Sequence, residues 1–201
     1  LLFLLILSGI AVFFYGLWYF GKDLPDYKEL SKYNPNVVTR IHAGNGALLA
    51  EYATQKRVFV PISVIPKKVI NAFISAEDKD FYNHFGIDLR ATLRALITNI
   101  KNIGTNKRLI GASTITQQVA KNFLLSSEMS YERKIKEAIL AIRIERAFSK
   151  NEILELYLNE IYLGFKSYGV AAAALNYFDK SLDNLDLSEA AFLAALPKAP
   201  N

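Results

Sequence analysis

The chain has 201 residues, a formal charge of +5, two histidines and no cysteine. Without cysteine there is neither a disulfide framework nor a thiolate site, and His42 and His84 fit no metal-ligand spacing. The basic balance leaves anionic lipid headgroups, a pyrophosphate or nucleic acid as candidate partners.

Leu1 to Phe20 contains no charged residue and no proline. A helix of that length reaches roughly 30 Å, the thickness of a hydrocarbon core. Tyr15, Trp18, Tyr19 and Phe20 crowd its far end as an interfacial belt would, and Lys22 and Asp23 close it. A cleaved signal peptide is the competing reading, but its apolar region is shorter and ends at a small-x-small site, which is not seen near residue 20. Residues 1–20 are therefore expected to form a transmembrane helix, with a single-pass chain in a membrane. No basic residue precedes Leu1, so the orientation is not readable from charge. Residues 21–36 read as a juxtamembrane linker punctuated by Pro25 and Pro35. The remainder is long enough for one well-buried or two-lobed domain, expected over 37–200.

Residues 37–52 read as a β-hairpin turning at Gly44-Asn45-Gly46, and Arg57 to Pro61 as a third short strand. From Pro66 the pattern turns helical. Lys67 to Asp78 places Val69, Ala72, Phe73 and Ala76 on an inner face, and Asp88 caps a second helix with the stripe Leu89, Leu93, Leu96, Ile97 and Ile100. Residues 101–112 break the periodicity. Lys101, Lys107 and Arg108 mix there with Ile103, Leu109 and Ile110, which suits either a flap at a membrane surface or an ordinary solvated connection. Helices follow over Ser113 to Leu124, Ser130 to Ala147 and Lys150 to Glu160, the last with a Ser149/Glu152 capping box. Two short alanine-rich helices, 167–176 and 189–196, end the chain, the second capped by Ser188. The expected fold is mostly α with a small β element near the anchor.

Two features carry chemistry. Ser113, Gln117 and Lys121 recur at i, i+4 and i+8, and Arg133 and Glu137 stand four apart on the next helix. Residues four apart share a face, so two neighbouring helices offer cations beside a carboxylate, a surface for a phosphate-bearing substrate. Residues 98–150 hold ten Lys/Arg against four Asp/Glu, which accounts for the basic balance. Nucleic acid fits poorly with an anchor, and no recognition motif for it is present. Glu77 ends an apolar helix after Phe73, Ile74 and Ala76. A carboxylate in partly apolar surroundings is better suited to take a proton than a solvated one.

Five blocks, in order, carry a resemblance. Glu77 to Gly86 matches E-D-x-x-F-x-x-H-x-G, and Gly111 to Asn122 matches G-x-S-T-[IL]-T-Q-Q-x-x-K-N. Arg133 to Glu137 matches R-K-x-x-E, Ile153 to Asn159 matches I-L-E-x-Y-L-N, and Gly164 through Ala173 fits a looser glycine–alanine block. Together they resemble the peptidoglycan glycosyltransferase domain, glycosyltransferase family 51. The sequence around Gly46 and the closing Leu196 to Pro200 resemble the class A penicillin-binding proteins in particular.

The resemblance implies a lysozyme-like, two-lobed fold with one lobe dipping into the outer leaflet of a bacterial plasma membrane and the catalytic domain on its extracytoplasmic side. It implies lipid II as substrate, with the growing glycan strand as donor, inversion at the anomeric carbon and release of undecaprenyl pyrophosphate. Glu77 matches the family's general base and Lys121 and Arg133 its pyrophosphate ligands. Glu137 matches its second glutamate, which orients a cation or holds a divalent ion, Mg or Mn; no organic cofactor is implied. Ser113, Thr114, Gln117 and Gln118 match cleft residues and Asp78 a positioner of the Glu77 loop. Phe81 and His84 read as structural, and Asn122 stays open. Cell-wall synthesis machinery is an implied partner. A lytic transglycosylase or hydrolase of the same fold is the alternative, disfavoured by Lys121, Arg133 and the anchor.

Two departures touch the flap. Ile110 stands where the family usually has Gln, and the loop between the first two blocks is a few residues longer than is common. No S-x-x-K occurs, so the acylated serine of a transpeptidase domain is absent from these residues. The chain reads as truncated after the glycosyltransferase domain, expected to polymerise glycan and not to bind penicillin.

Overall fold

The structure, a computed structural model, describes residues 2–32, 39–44, 48–52, 56–105, 107, 109–125 and 130–198. It is mostly helical. The order is α1 (Leu2–Gly21), β1 (Thr39–His42), β2 (Leu48–Tyr52), β3 (Lys56–Arg57), α2 (Lys67–Glu77), α3 (Leu89–Lys101), α4 (Ile115–Leu124), α5 (Tyr131–Ala147), α6 (Lys150–Glu160), β4 (Ser167–Tyr168), α7 (Val170–Phe178) and α8 (Leu187–Ala195).

Helix α4 is the central rod. Ile115, Thr116, Gln117, Val119 and Ala120 are all buried, because both α5 and α6 pack against it. Helix α2 lies against α8 and inserts Val69 and Phe73 into the same core. Phe73 meets Tyr157 of α6 edge-on at 6.3 Å, and Leu140, Ile144, Ile153, Leu154 and Leu158 complete the interior. Burying such side chains contributes about 1.5–3 kcal/mol each before the entropy of ordering them is set against it.

Local signals set most helix ends. Ser130 caps α5, and Ser149 with Glu152 forms the expected box on α6. Two caps differ from expectation. Thr114, one residue beyond Ser113, caps α4 in a box with Gln117. Asp186, rather than Ser188, caps α8 in a box with Glu189. The strand expected over Arg57 to Pro61 is shorter and differently partnered. β3 pairs in parallel with β4, more than a hundred residues on, while β1 pairs antiparallel with β2. Asn45 and Gly46 of the expected turn lie outside the described residues, as do Arg108 of the flap and residues 33–36 of the expected linker.

Three expectations meet a different outcome. The stripe Leu89, Leu93, Leu96, Ile97 and Ile100 does not enter the core. All five side chains are exposed, and only Ala95 of α3 is buried. The segment read as a linker includes a 3₁₀ turn, Tyr27–Lys32, whose Leu30 is buried in the core. The expected membrane span is helical over Leu2–Gly21, yet among the described residues no helix is long and apolar enough to cross a membrane. Leu1 and the side chains of Leu2, Leu5, Ile6 and Phe13 lie outside the described part of the chain.

Candidate active site

Glu77 is the last residue of α2, and the residues just after it fix where its carboxylate points. Asp78, 6% exposed, accepts the Ile115 N–H at 3.0 Å, so it closes the first turn of α4. Both Asp78 oxygens lie 3.0 Å from His84 Nε2. The Thr114 hydroxyl donates to the Gly86 carbonyl at 2.6 Å. Gly86 has φ of +88°, and a Cβ there would lie 2.6 Å from the Ala141 carbonyl of α5. The first sequence block is thus a connector: it ties the end of α2 to the start of α4 and to the middle of α5. Beneath it, Lys150 donates to the His84 carbonyl and to Glu145 Oε1, 2.7 Å each, and sits 4.5 Å over the Phe81 ring. Glu145 also accepts the Thr116 hydroxyl at 2.6 Å. Phe81 and His84 serve this scaffold.

A cavity of about 680 Å³ opens above the connector. Glu77 lines it together with Ser113, Gln117, Gln118 and Lys121 of the α4 region and Arg133, Lys134 and Glu137 of α5. Glu77 Oε2 accepts from Gln118 Nε2 at 2.8 Å. Its Oε1 is buried and has no hydrogen-bond partner among the described residues. Glu137 is 1% exposed and holds two cations: Arg133 Nε lies 3.1 Å from its Oε1, and Lys134 Nζ 2.5 Å from its Oε2. The Arg133 contact is an ion pair. Lys134 Nζ also donates to Ser113 Oγ at 2.7 Å. Among the described residues no carboxylate lies within ion-pair reach of Lys121. Burial holds the Lys121 pKa below the ordinary lysine range; Arg133 and Lys134 push it further down, while Glu137 and Glu77 oppose them.

Thr114 and Asp78 stand off the main cavity but line an adjoining hollow of about 210 Å³ that shares Glu77 and Ser113 with it. Asn122 is exposed and lines neither. Lys134, Pro197 and Lys198 lie in quoted blocks but were given no site role, yet they line the cavity. Lys134 had a signal, since it stands at i, i+3 to Glu137. Pro197 and Lys198 belong to the closing Leu196 to Pro200 stretch, but no local pattern places them at the cleft, which they reach by tertiary folding. The Ile153 to Asn159 block lies behind the site. Asn159 exchanges hydrogen bonds with both backbone groups of Val60, and Glu155 accepts the Ile62 N–H. Tyr157 is buried, which raises its pKa well above the usual tyrosine value, with Glu77 and then Asp78 adding to the effect.

The site does not fit a protein-held divalent ion. The Glu137 carboxylate is already engaged by two cations, with Lys121 a third positive charge nearby. Among the described residues no group of three or more His, Cys, Asp or Glu is placed to hold a metal.

A family model described as Transglycosylase matches residues 45–201. The chain belongs to the transglycosylase family. It is 56% identical over 197 residues to penicillin-binding protein 1A of Rickettsia felis, an alignment covering 98% of this chain and 25% of that protein. Penicillin-binding protein 1A of Aquifex aeolicus is 50% identical over 192 residues, 96% of this chain and 26% of the other. The chain therefore spans about a quarter of the length of these curated relatives. Among solved structures, penicillin-binding protein 1A from Haemophilus influenzae aligns with a TM-score of 0.40 and 28% identity, covering 84% of this chain and 15% of that one. The five blocks and this assignment agree: the chain is a glycosyltransferase domain of family 51.

Proposed function

We propose that this domain polymerises lipid II into glycan strands. The observation that carries the reading is one cavity lined both by a proton-accepting carboxylate, Glu77, and by Lys121, Arg133 and Lys134. The 4-hydroxyl of the acceptor sugar attacks the donor's anomeric carbon and Glu77 takes its proton. The bond from that carbon to the diphosphate breaks, configuration inverts from α to β, and the diphosphate leaves with the electron pair. A diphosphate needs charge compensation more than protonation, and a lysine–arginine group supplies it. Glu137 orients Arg133 and Lys134. Any divalent cation travels on the diphosphate, not in a protein-built cage.

We further propose that α1 anchors the chain in a bacterial plasma membrane with the domain on its outer side, alongside other cell-wall synthesis proteins. In support, α1 runs for 20 residues without a charged side chain and exposes Phe3, Leu4 and Val12. Lys22 Nζ lies 5.7 Å from the Trp18 ring centre and 5.1 Å from that of Tyr19, the amphipathic end expected at an interface. The exposed face of α3, with Ile103 and Leu109 beyond it, suits the same bilayer.

The test is incubation with labelled lipid II in detergent. The expected result is long glycan strands and free undecaprenyl pyrophosphate. Shortening of added peptidoglycan with no polymerisation would overturn the reading in favour of a hydrolase of the same fold.

A further inference from the structure

A second cavity, about 640 Å³, shares no lining residue with the cleft. It lies between the segment 80–90 and Ile142 of α5. Its polar lining is rich in hydrogen-bond acceptors. Asp88 is 9% exposed and gives one oxygen, Oδ1, to the Ala91 N–H as the cap of α3. Asp80 is half-buried and meets the exposed Lys79 at 3.8 Å, beyond hydrogen-bond distance.

His84 supplies a third acceptor. Its side chain is 8% exposed, and Nε2 is committed to the two oxygens of Asp78. A carboxylate only accepts, so Nε2 carries the hydrogen and the neutral ring leaves Nδ1 as an acceptor. Nδ1 is buried and has no hydrogen-bond partner among the described residues. Asp78 does not line this cavity and His84 does, so the Nε2 edge of the ring faces away from it. A buried acceptor without a donor is costly, and it marks a place for one. Arg90, on the exposed side of α3, is the single arginine or lysine among the described lining. Two carboxylates, an imidazole acceptor and one guanidinium complement a zwitterion that carries an ammonium and a phosphate.

The mouth of the cavity is apolar, with Phe85 84% and Leu89 75% exposed. An apolar groove beside it shares Ile87, Leu89 and Ile142 with it and reaches Leu17 of α1. Leu17 stands next to Trp18, where the aromatic and Lys22 end of α1 begins. On the anchor reading above, that end lies at the membrane interface, which puts the cavity at headgroup depth.

We infer that this cavity binds the headgroup of an aminophospholipid of the surrounding bilayer. The inference rests on the anchor reading and is independent of the chemistry in the cleft. The ammonium has three N–H donors for Asp80, Asp88 and His84 Nδ1. The phosphate meets Arg90, and the acyl chains leave over Phe85 and Leu89. A choline headgroup has the same charge but no N–H to give. A wholly anionic headgroup meets two carboxylates. A soluble amine has no use for the two exposed apolar side chains.

The full chain in lipid nanodiscs tests this with two photoreactive probes, a phosphatidylethanolamine and a phosphatidylcholine, each with a diazirine on the acyl carbons next to the glycerol. The expected result is labelling of residues 80–90 by the ethanolamine probe about tenfold above the choline probe, the scale of one charge-assisted hydrogen bond. Asp80→Asn and Arg90→Gln lie outside the cleft. Each is expected to lower ethanolamine labelling about tenfold, with lipid II turnover in detergent unchanged. If Asp80→Asn misfolds, Arg90→Gln decides the matter. Equal labelling by the two probes overturns the headgroup assignment in favour of general bilayer contact, and so does undiminished labelling of the variants. A chain that does not enter nanodiscs overturns the anchor reading and this inference with it; entry with equal labelling overturns this inference alone.

Discussion

Replacing Glu77 by glutamine changes one oxygen to an amide nitrogen and little else. In the structure Glu77 Oε2 accepts one hydrogen bond, from Gln118 Nε2 at 2.8 Å, and Oε1 has no partner among the described residues. A half-turn of the Gln118 amide presents its oxygen to the new NH₂, so that bond survives. The cost to the fold is then about 1 kcal/mol or less, the scale of one net hydrogen bond. In a chain of this size that is about 2–4 °C in Tm. The cost to the reaction is of another order. Loss of a positioned base removes about 10²–10⁴ in rate, equivalent to about 3–5 kcal/mol of barrier. Turnover of labelled lipid II at saturation, measured beside thermal unfolding, separates the two. We expect kcat to fall at least about a hundredfold with KM and Tm nearly unchanged. A kcat within about threefold of the parent would remove Glu77 from the role of base, and a Tm drop of about 10 °C or more would make the loss one of folding.

Glu137→Gln leaves Arg133 and Lys134 facing a neutral amide. Breaking a buried pair costs about 3–5 kcal/mol, and because Lys134 is half-exposed we expect the low end, a Tm fall of about 5–10 °C, with a raised donor KM; an unchanged Tm would show that the carboxylate does not hold the cations. Gly86→Ala forces a Cβ to within 2.6 Å of the Ala141 carbonyl at a positive φ, so we expect about 2 kcal/mol or more of destabilisation in urea unfolding. Gly104→Ala, with positive φ but open space, should lose less. The Lys121 pKa is lowered chiefly by burial, so the folded chain holds that proton less tightly than the unfolded one. Stability from this group therefore rises with pH through the window between the two values, while donor affinity, which needs the ammonium, falls through the same window. Donor KM should climb at a pH below the ordinary lysine range, and Lys121→Arg should shift the climb upward; a flat profile in the parent would refute this.

Much of the helical framework was legible because its signals are local. Ser149 with Glu152 marks the start of α6, Ser130 stands at the start of α5, and the inner face Val69, Ala72, Phe73 and Ala76 marks α2. The cation–carboxylate grouping was legible too, since i, i+4 spacing fixes a face. What could not be read was non-local. The parallel pairing of Lys56–Arg57 with Ser167–Tyr168 has no signature in either segment. The amphipathic stripe of α3 looks the same in sequence whether it faces a core or the outside, and here it faces outward. Thr114 and Asp78 belong to matched blocks, but their polar atoms are occupied by Gly86, Gln117, Ile115 and His84.

One contact joins the ends of this arrangement. The Arg143 guanidinium donates to the Gly21 carbonyl at 3.1 Å, where α1 terminates. Arg143 lies on α5, the helix that also carries Arg133, Lys134 and Glu137. On the membrane placement proposed above, tilt of α1 would reach α5 through this bond and carry with it the height of Arg133, Lys134 and Glu137 above the headgroups.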